Sequence, residues 1–266
     1  MLPVVKAYPV VDQVSLSEAV CVAGIDMEQR RWIRLFPLDF RGLERVKRFS
    51  KYQAIALDAN RSAKDSRPES YAPVLDTIEV GEQIGTDDGT WRRRMPFFAT
   101  VEDESMCEIQ RLQKTSRQSL GLFRPADIDD LVVSPAPPEF ESSQRAIIEQ
   151  GSLFGDRTGD KRRTTLEPLP VKAKFKYRCA DPACDGHEQS FIDWELGAHY
   201  RRLRDDQGLD QADCLAGVRE RFLGLCDETR DIRFITGSML RHPTSFLILG
   251  LVYPKKKAEP QREALF

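Results

Sequence analysis

Imidazole and thiol are scarce in this chain of 266 residues, which carries three histidines and six cysteines. Long apolar runs are missing as well: the longest clean one, Phe246 to Tyr253, is far too short to cross a bilayer. Neither sign of charge dominates, with 40 Lys and Arg against 42 Asp and Glu and a net charge of −2. A disordered chain would hold fewer apolar residues than 41% and sit further from neutrality, so a folded chain with a real core is expected. The start, Met1-Leu-Pro-Val-Val, is interrupted by Pro3, Lys6 and Pro9 and does not read as a secretory leader. Disulfides are therefore not expected, the cysteines read as thiols or metal ligands, and the cytoplasm is the expected compartment. No P-loop or dinucleotide-type glycine loop is present, which ranks an enzyme of small nucleotides last. The near-zero total gives no bulk reason to expect nucleic acid.

What is present suggests an α+β chain in two parts. Ala19–Ile25 and Arg31–Phe36 have the form of a β-hairpin around Asp26 to Arg30. Tyr52–Leu57, Val74–Val80 and Pro96–Val101 are further strand candidates, and Glu104–Ser116 is a helix with Met106, Ile109 and Leu112 near one face. This predicts a small β-barrel or sandwich-like domain over 1–137, of OB or PUA-like kind by analogy of size and pattern. The Pro- and Gly-broken stretch 138–170 reads as a linker. A second domain over 171–254 opens on the strictly alternating Val171–Tyr177. Ser190-Phe-Ile-Asp193 has the form of a capping box, opening a helix that ends at Gly208, and Asp210 caps a second. Ile232–Thr236 and Phe246–Tyr253 close a small antiparallel sheet with two helices on one face. Residues 255–266 form a tail that starts basic.

Chemistry concentrates in Cys179-Ala-Asp-Pro-Ala-Cys184-Asp-Gly-His187, three soft donors on one turn beyond a strand. Such a turn aims paired thiolates at one point, as zinc sites require. Cys226 is taken as the fourth ligand, with His199 and His242 as alternatives and Cys214 the weaker one. Two free cysteines beside an unrelated histidine is the other reading. A metal-dependent nuclease or phosphodiester hydrolase would use His187, Glu195, His199, Arg241 and His242, provided they converge. Asp193 and Glu195, placed on one helix, would point in nearly opposite directions.

Gln150-Gly-Ser-Leu-Phe154 lies in the linker. It resembles the Gln-x-x-Leu-Phe peptide by which many bacterial replication and repair proteins dock on the DNA sliding clamp. The resemblance implies that Gln150 hydrogen-bonds at a groove rim while Leu153 and Phe154 fill an apolar pocket. Gln261, Leu265 and Phe266 repeat the pattern in the tail with one extra residue.

The total charge also conceals segregation. Residues 161–204 hold ten Lys and Arg against six acids, and residues 102–149 hold ten acids against five bases. Lys172, Lys174, Lys176 and Arg178 project from one strand face, near Arg162 and Arg163. Arg30, Arg31, Arg34, Arg41, Lys47, Arg48 and Lys51 interleave with Trp32, Phe36, Phe40 and Phe49. Cations beside stacking aromatics are what nucleic-acid surfaces need. The sequence thus suggests a zinc-containing, nucleic-acid-binding protein of DNA replication, repair or defence, without a membrane role. DNA and RNA both remain open as partners, and the hydrolase is the alternative.

Overall fold

The computed structural model describes residues 1–8, 10–12, 17–62, 65–137, 139–141 and 166–256. It is a mixed α+β fold with two six-stranded sheets, a separate strand pair and few helices. Among the described residues no helix is long and apolar enough to cross a membrane.

In the first sheet, β1 (Leu2–Lys6) and β2 (Val10–Asp12) both pair antiparallel with β3 (Ser17–Ile25). β3 forms the expected hairpin with β4 (Trp32–Leu38). Asp26 closes its turn, accepting the N–H groups of Glu28 at 3.0 Å and Gln29 at 3.1 Å, an aspartate acting as a local turn template. β5 (Gln53–Ala56) pairs with β8 (Glu79–Gln83), while β6 (Ala59–Arg61) and β7 (Ser70–Pro73) extend the main sheet beyond β4. β5 leans on β1: Ile55 donates to the Met1 carbonyl at 2.9 Å and Tyr52 to that of Pro3 at 2.7 Å.

Two expected strands are corrected. Within Val74–Val80, Leu75–Thr77 is a 3-10 turn and β8 begins only at Glu79. Pro96–Val101 is not a strand, because Met95–Phe98 is a short helix, α1. Pro96 has no N–H, which a helix's first turn does not need and a ladder would miss. The next helix, α2 (Met106–Ser116), is capped by Ser105, whose hydroxyl accepts from Glu108 at 3.0 Å.

The second sheet contains β9 (Leu120–Phe123), β10 (Pro125–Pro135), β11 (Val171–Cys179), β12 (His187–Phe191), β13 (Arg233–Ser238) and β14 (Phe246–Val252). Its order is β10-β11-β12-β14-β13-β9, and β12 with β14 is a parallel pair. β9 and β10 therefore belong here and not with the first sheet, so the strand pairing does not follow the expected boundary at 137. Only Arg124 separates these two strands, yet they occupy opposite ends of the order. A flat sheet would hold its outer strands about 24 Å apart at about 4.8 Å per step, and one residue cannot span that. The sheet curls until its ends meet at Arg124. Phe123, Phe175, Tyr177, Phe191 and Phe234 fill the inside, with Phe123 stacked on Tyr177 at 5.6 Å. α3 (Trp194–Arg201) and α4 (Gln211–Gly224) cover this core with Leu196, Tyr200, Val218 and Phe222. The expected capping box is also corrected: Ser190 lies in β12, and Asp193 is itself the cap of α3.

Candidate metal centre and neighbouring charges

β11 ends at Cys179, buried below the core aromatics, and the chain then turns back into β12 at His187. The turn organises itself: Cys184 donates to the Asp181 carbonyl at 3.0 Å, and the Asp181 carboxylate accepts from Ala183 at 2.9 Å. Gly186 sits at φ +103°, a conformation that side-chain-bearing residues avoid. The backbone N–H groups of Cys179 and Gly186 both point at Cys184 Sγ, each at 3.4 Å.

The fourth donor arrives from α2. Cys107 Sγ lies 3.6 Å from Cys179 Sγ and 3.6 Å from His187 Nε2, and His187 Nε2 is 3.4 Å from Cys179 Sγ. With Cys184, these donor atoms all lie within 4.8 Å of one another and can hold a metal ion. Cys226 is not a member. Just past the end of α4, its thiol faces the Phe222 carbonyl at 3.5 Å, and burial pushes it up to about 12. Cys214 is buried against the Leu209 carbonyl. Cys107 is the residue that sequence reasoning missed; inside α2 it adjoins the apolar stripe, and only docking of α2 on β11 gives it a role.

Supports converge on the same place. The His187 ring stacks on Tyr177, with centroids 5.0 Å apart and planes 28° apart. The Tyr177 hydroxyl donates to Gln189 Oε1 at 2.5 Å, and Gln189 reaches the sulfur of Met106, the residue before Cys107. Arg111 of α2 pairs with Asp181 of the turn at 2.8 Å. Burial, with the neighbouring Cys179, drives the Cys107 thiol up to about 12. Cys179 goes down to about 6: burial opposes this, but backbone N–H donors at Asp181 and Cys107 and the His187 ring favour its thiolate. A cation among the donors would reverse the repulsion that disfavours further thiolates.

The hydrolytic candidates do not gather. Glu195 pairs with Lys51 at 2.9 Å, and His199 contacts Arg202 at 3.2 Å and the Phe222 ring. Arg241 and His242 occupy an exposed turn between β13 and β14. Among the described residues no second group of three or more His, Cys, Asp or Glu donors forms, so Glu195, His199 and His242 do not join His187. Asp193 and Glu195 do converge, contrary to expectation. Asp193 is a cap with extended backbone (φ −61°, ψ 140°), so its carboxylate turns back to Lys51, which it meets at 2.7 Å and 2.8 Å.

The cationic candidates divide by burial. Lys172, Lys174, Lys176 and Arg178 are all exposed on β11, and Glu188 pairs with Lys174 at 2.8 Å and Lys176 at 3.8 Å. Arg30 and Arg31 are exposed, the first over the Phe97 ring at 4.5 Å. Lys47 pairs with Asp76 at 3.5 Å, and Arg48 donates to the carbonyls of Leu43 and Arg41. Two are corrected: Arg34 is buried on the Ser119 carbonyl and hydroxyl, and Lys51 is buried on its carboxylates. Neither is available to a phosphate. Trp32 and Phe49 are likewise buried in the core. Arg162, Arg163, Gln150, Leu153, Phe154, Gln261, Leu265 and Phe266 lie outside the described residues.

No curated protein and no solved structure matches the chain. Residues 1–100 match a family described as a domain of unknown function, DUF8758. Residues 101–266, more than half of the sequence and all four metal-site donors, match another, and the chain belongs to that family, DUF8757, also described as a domain of unknown function.

Proposed function

We propose that this is a zinc-stabilised nucleic-acid-binding protein in which the metal is structural and β11 carries the contact surface. Three thiolates and an imidazole are a donor set that zinc favours, and no open coordination position is left for chemistry. At ordinary zinc distances a tetrahedron has S···S edges of about 3.8 Å and S···N edges of about 3.6 Å. The Cys107, Cys179 and His187 separations of 3.4–3.6 Å fit those edges.

The observation that carries the binding role is the alternation of β11. Its inward residues are buried, while Lys172, Lys174, Lys176 and Arg178 stand outward in a row. Steps of two residues along a strand place the cations about 7 Å apart, a spacing that can track a phosphate backbone. Lys172 and Arg178 have no ion pair among the described residues. On this reading the N-terminal β-rich part supplies a small barrel-type β fold. The clamp-like peptide Gln150 to Phe154 tethers the protein to replication or repair.

Binding of labelled single- and double-stranded DNA and RNA, read by anisotropy across a salt series, tests the role. Saturable, salt-sensitive binding that weakens in the Lys172→Glu, Arg178→Glu double variant is expected. Absence of binding at low salt, or indifference to that variant, refutes it. For the tether, Leu153→Ala with Phe154→Ala must abolish clamp pull-down.

A further inference from the structure

Lys51 and Asp193 stand 142 positions apart in sequence, on opposite sides of the boundary between the two family matches. Their side chains are 14% and 4% exposed. Lys51 Nζ lies 2.8 Å and 2.7 Å from the two Asp193 oxygens and 2.9 Å from Glu195 Oε1. Asp193 Oδ1 also accepts the backbone N–H of Glu195 at 2.9 Å. Tyr52, Phe191, Phe222, Leu225, Leu251 and Tyr253 wall the cleft, which has about 20 Å³ of room, enough for one water. Tyr52 holds the left-handed region at φ +63°, strained for a bulky residue, and fixes the backbone beside Lys51 by donating to Pro3.

This arrangement contains every group that amide formation needs: an amine, a carboxyl carbon within reach, a second carboxylate on the amine, and an N–H donor at the carboxyl oxygen. We propose that Lys51 and Asp193 condense into an isopeptide bond, with Glu195 carrying the protons. Glu195 takes a proton from Nζ, which attacks Asp193 Cγ to form the C–N bond. Oδ1 holds the negative charge of the tetrahedral intermediate against the Glu195 N–H. Glu195 passes that proton to Oδ2, then takes the second proton from Nζ and delivers it to the same oxygen, and the Cγ–Oδ2 bond breaks as water leaves. Starting from ammonium and carboxylate, two Nζ protons and Oδ2 leave as one water. Nothing is oxidised or reduced, and no co-reactant is required.

The surroundings favour the product. An ion pair is costly to keep in an aromatic and aliphatic cleft, whereas an amide carries no charge. Burial also raises the Asp193 carboxyl above its ordinary range, towards the protonated form from which water departs. Against the effect of burial, Asp193 and Glu195 hold the Lys51 ammonium above its own range, so the amine forms only as Glu195 takes its proton. The bond ties the residue before Tyr52 to the cap of α3 and stands independently of nucleic-acid binding.

The test is the intact mass of the full chain, reduced, denatured and freed of metal. The expected value is one water below the sequence mass, with a branched tryptic peptide joining the segments around Lys51 and Asp193. Glu195→Gln, which keeps the Asp193 cap, is expected to restore the full mass, as is Lys51→Met. A wild-type chain of full sequence mass overturns the proposal, and so does a shortfall that persists in Lys51→Met. A shortfall that persists in Glu195→Gln overturns the role given to Glu195.

Discussion

Cys107 Sγ and Cys179 Sγ are 3.6 Å apart although 72 positions separate them in the chain. The first turn of α2 is thereby docked against the end of β11, and the helix contributes a donor that the local turn lacks.

Cys107→Ser should therefore weaken metal binding by more than the tenfold to hundredfold typical of losing a mere ligand support. Competition with a chromophoric chelator measures this. Cys226→Ser, by contrast, should leave metal stoichiometry unchanged.

Tyr177→Phe removes the hydroxyl that donates to Gln189 at 2.5 Å in the buried core. The orphaned amide oxygen should cost about 1–3 kcal/mol in denaturant unfolding. Metal stoichiometry should persist, since Phe keeps the ring beneath His187.

Burial separates structural cations from surface ones. Arg34→Met removes the guanidinium hydrogen bonds to the Ser119 carbonyl and hydroxyl, at 2.9 Å and 3.0 Å, while those groups keep the Ser238 N–H and the Glu69 carboxylate as partners. The loss of charge-assisted bonds should cost about 1.5–3 kcal/mol. Lys172→Ala on the outer face should change stability by less than about 0.5 kcal/mol. Parallel urea melts check both.

Asp103 gives a pH signature. Burial lifts its carboxyl from 3.8 to about 6, even though Gln118 and the Leu122 N–H donate to it. Between those values the native state keeps a proton that the unfolded chain has released. Stability should then fall as pH rises from about 4 to about 6, by as much as about 3 kcal/mol, and be level above. Asp103→Asn should flatten that part of the profile in urea titrations.

Legibility followed the range of the interactions. β11 could be read directly, because one face is buried along its whole length and the period of two is unbroken. Three of the four donors share nine positions, so the turn announced itself. Cys107 did not, since its role arises only when α2 meets β11. β10 stayed hidden because register shifts between Pro125 and Asp127 and between Ile128 and Asp130 break its alternation. Asp193 misled for another reason: Ser190 and Asp193 have capping-box spacing, but β12 keeps Ser190 extended and hands the cap to Asp193.

The junction at Arg124 has one more consequence. Strands at the two ends of a sheet ordinarily fray independently, each exchanging its amide hydrogens at its own rate. Here β9 and β10 are one continuous segment. Peeling β9 from β13 pulls on the strand that borders β11, and opening β10 loosens β9. The sheet has two ends in its hydrogen bonding but only one place from which to unravel.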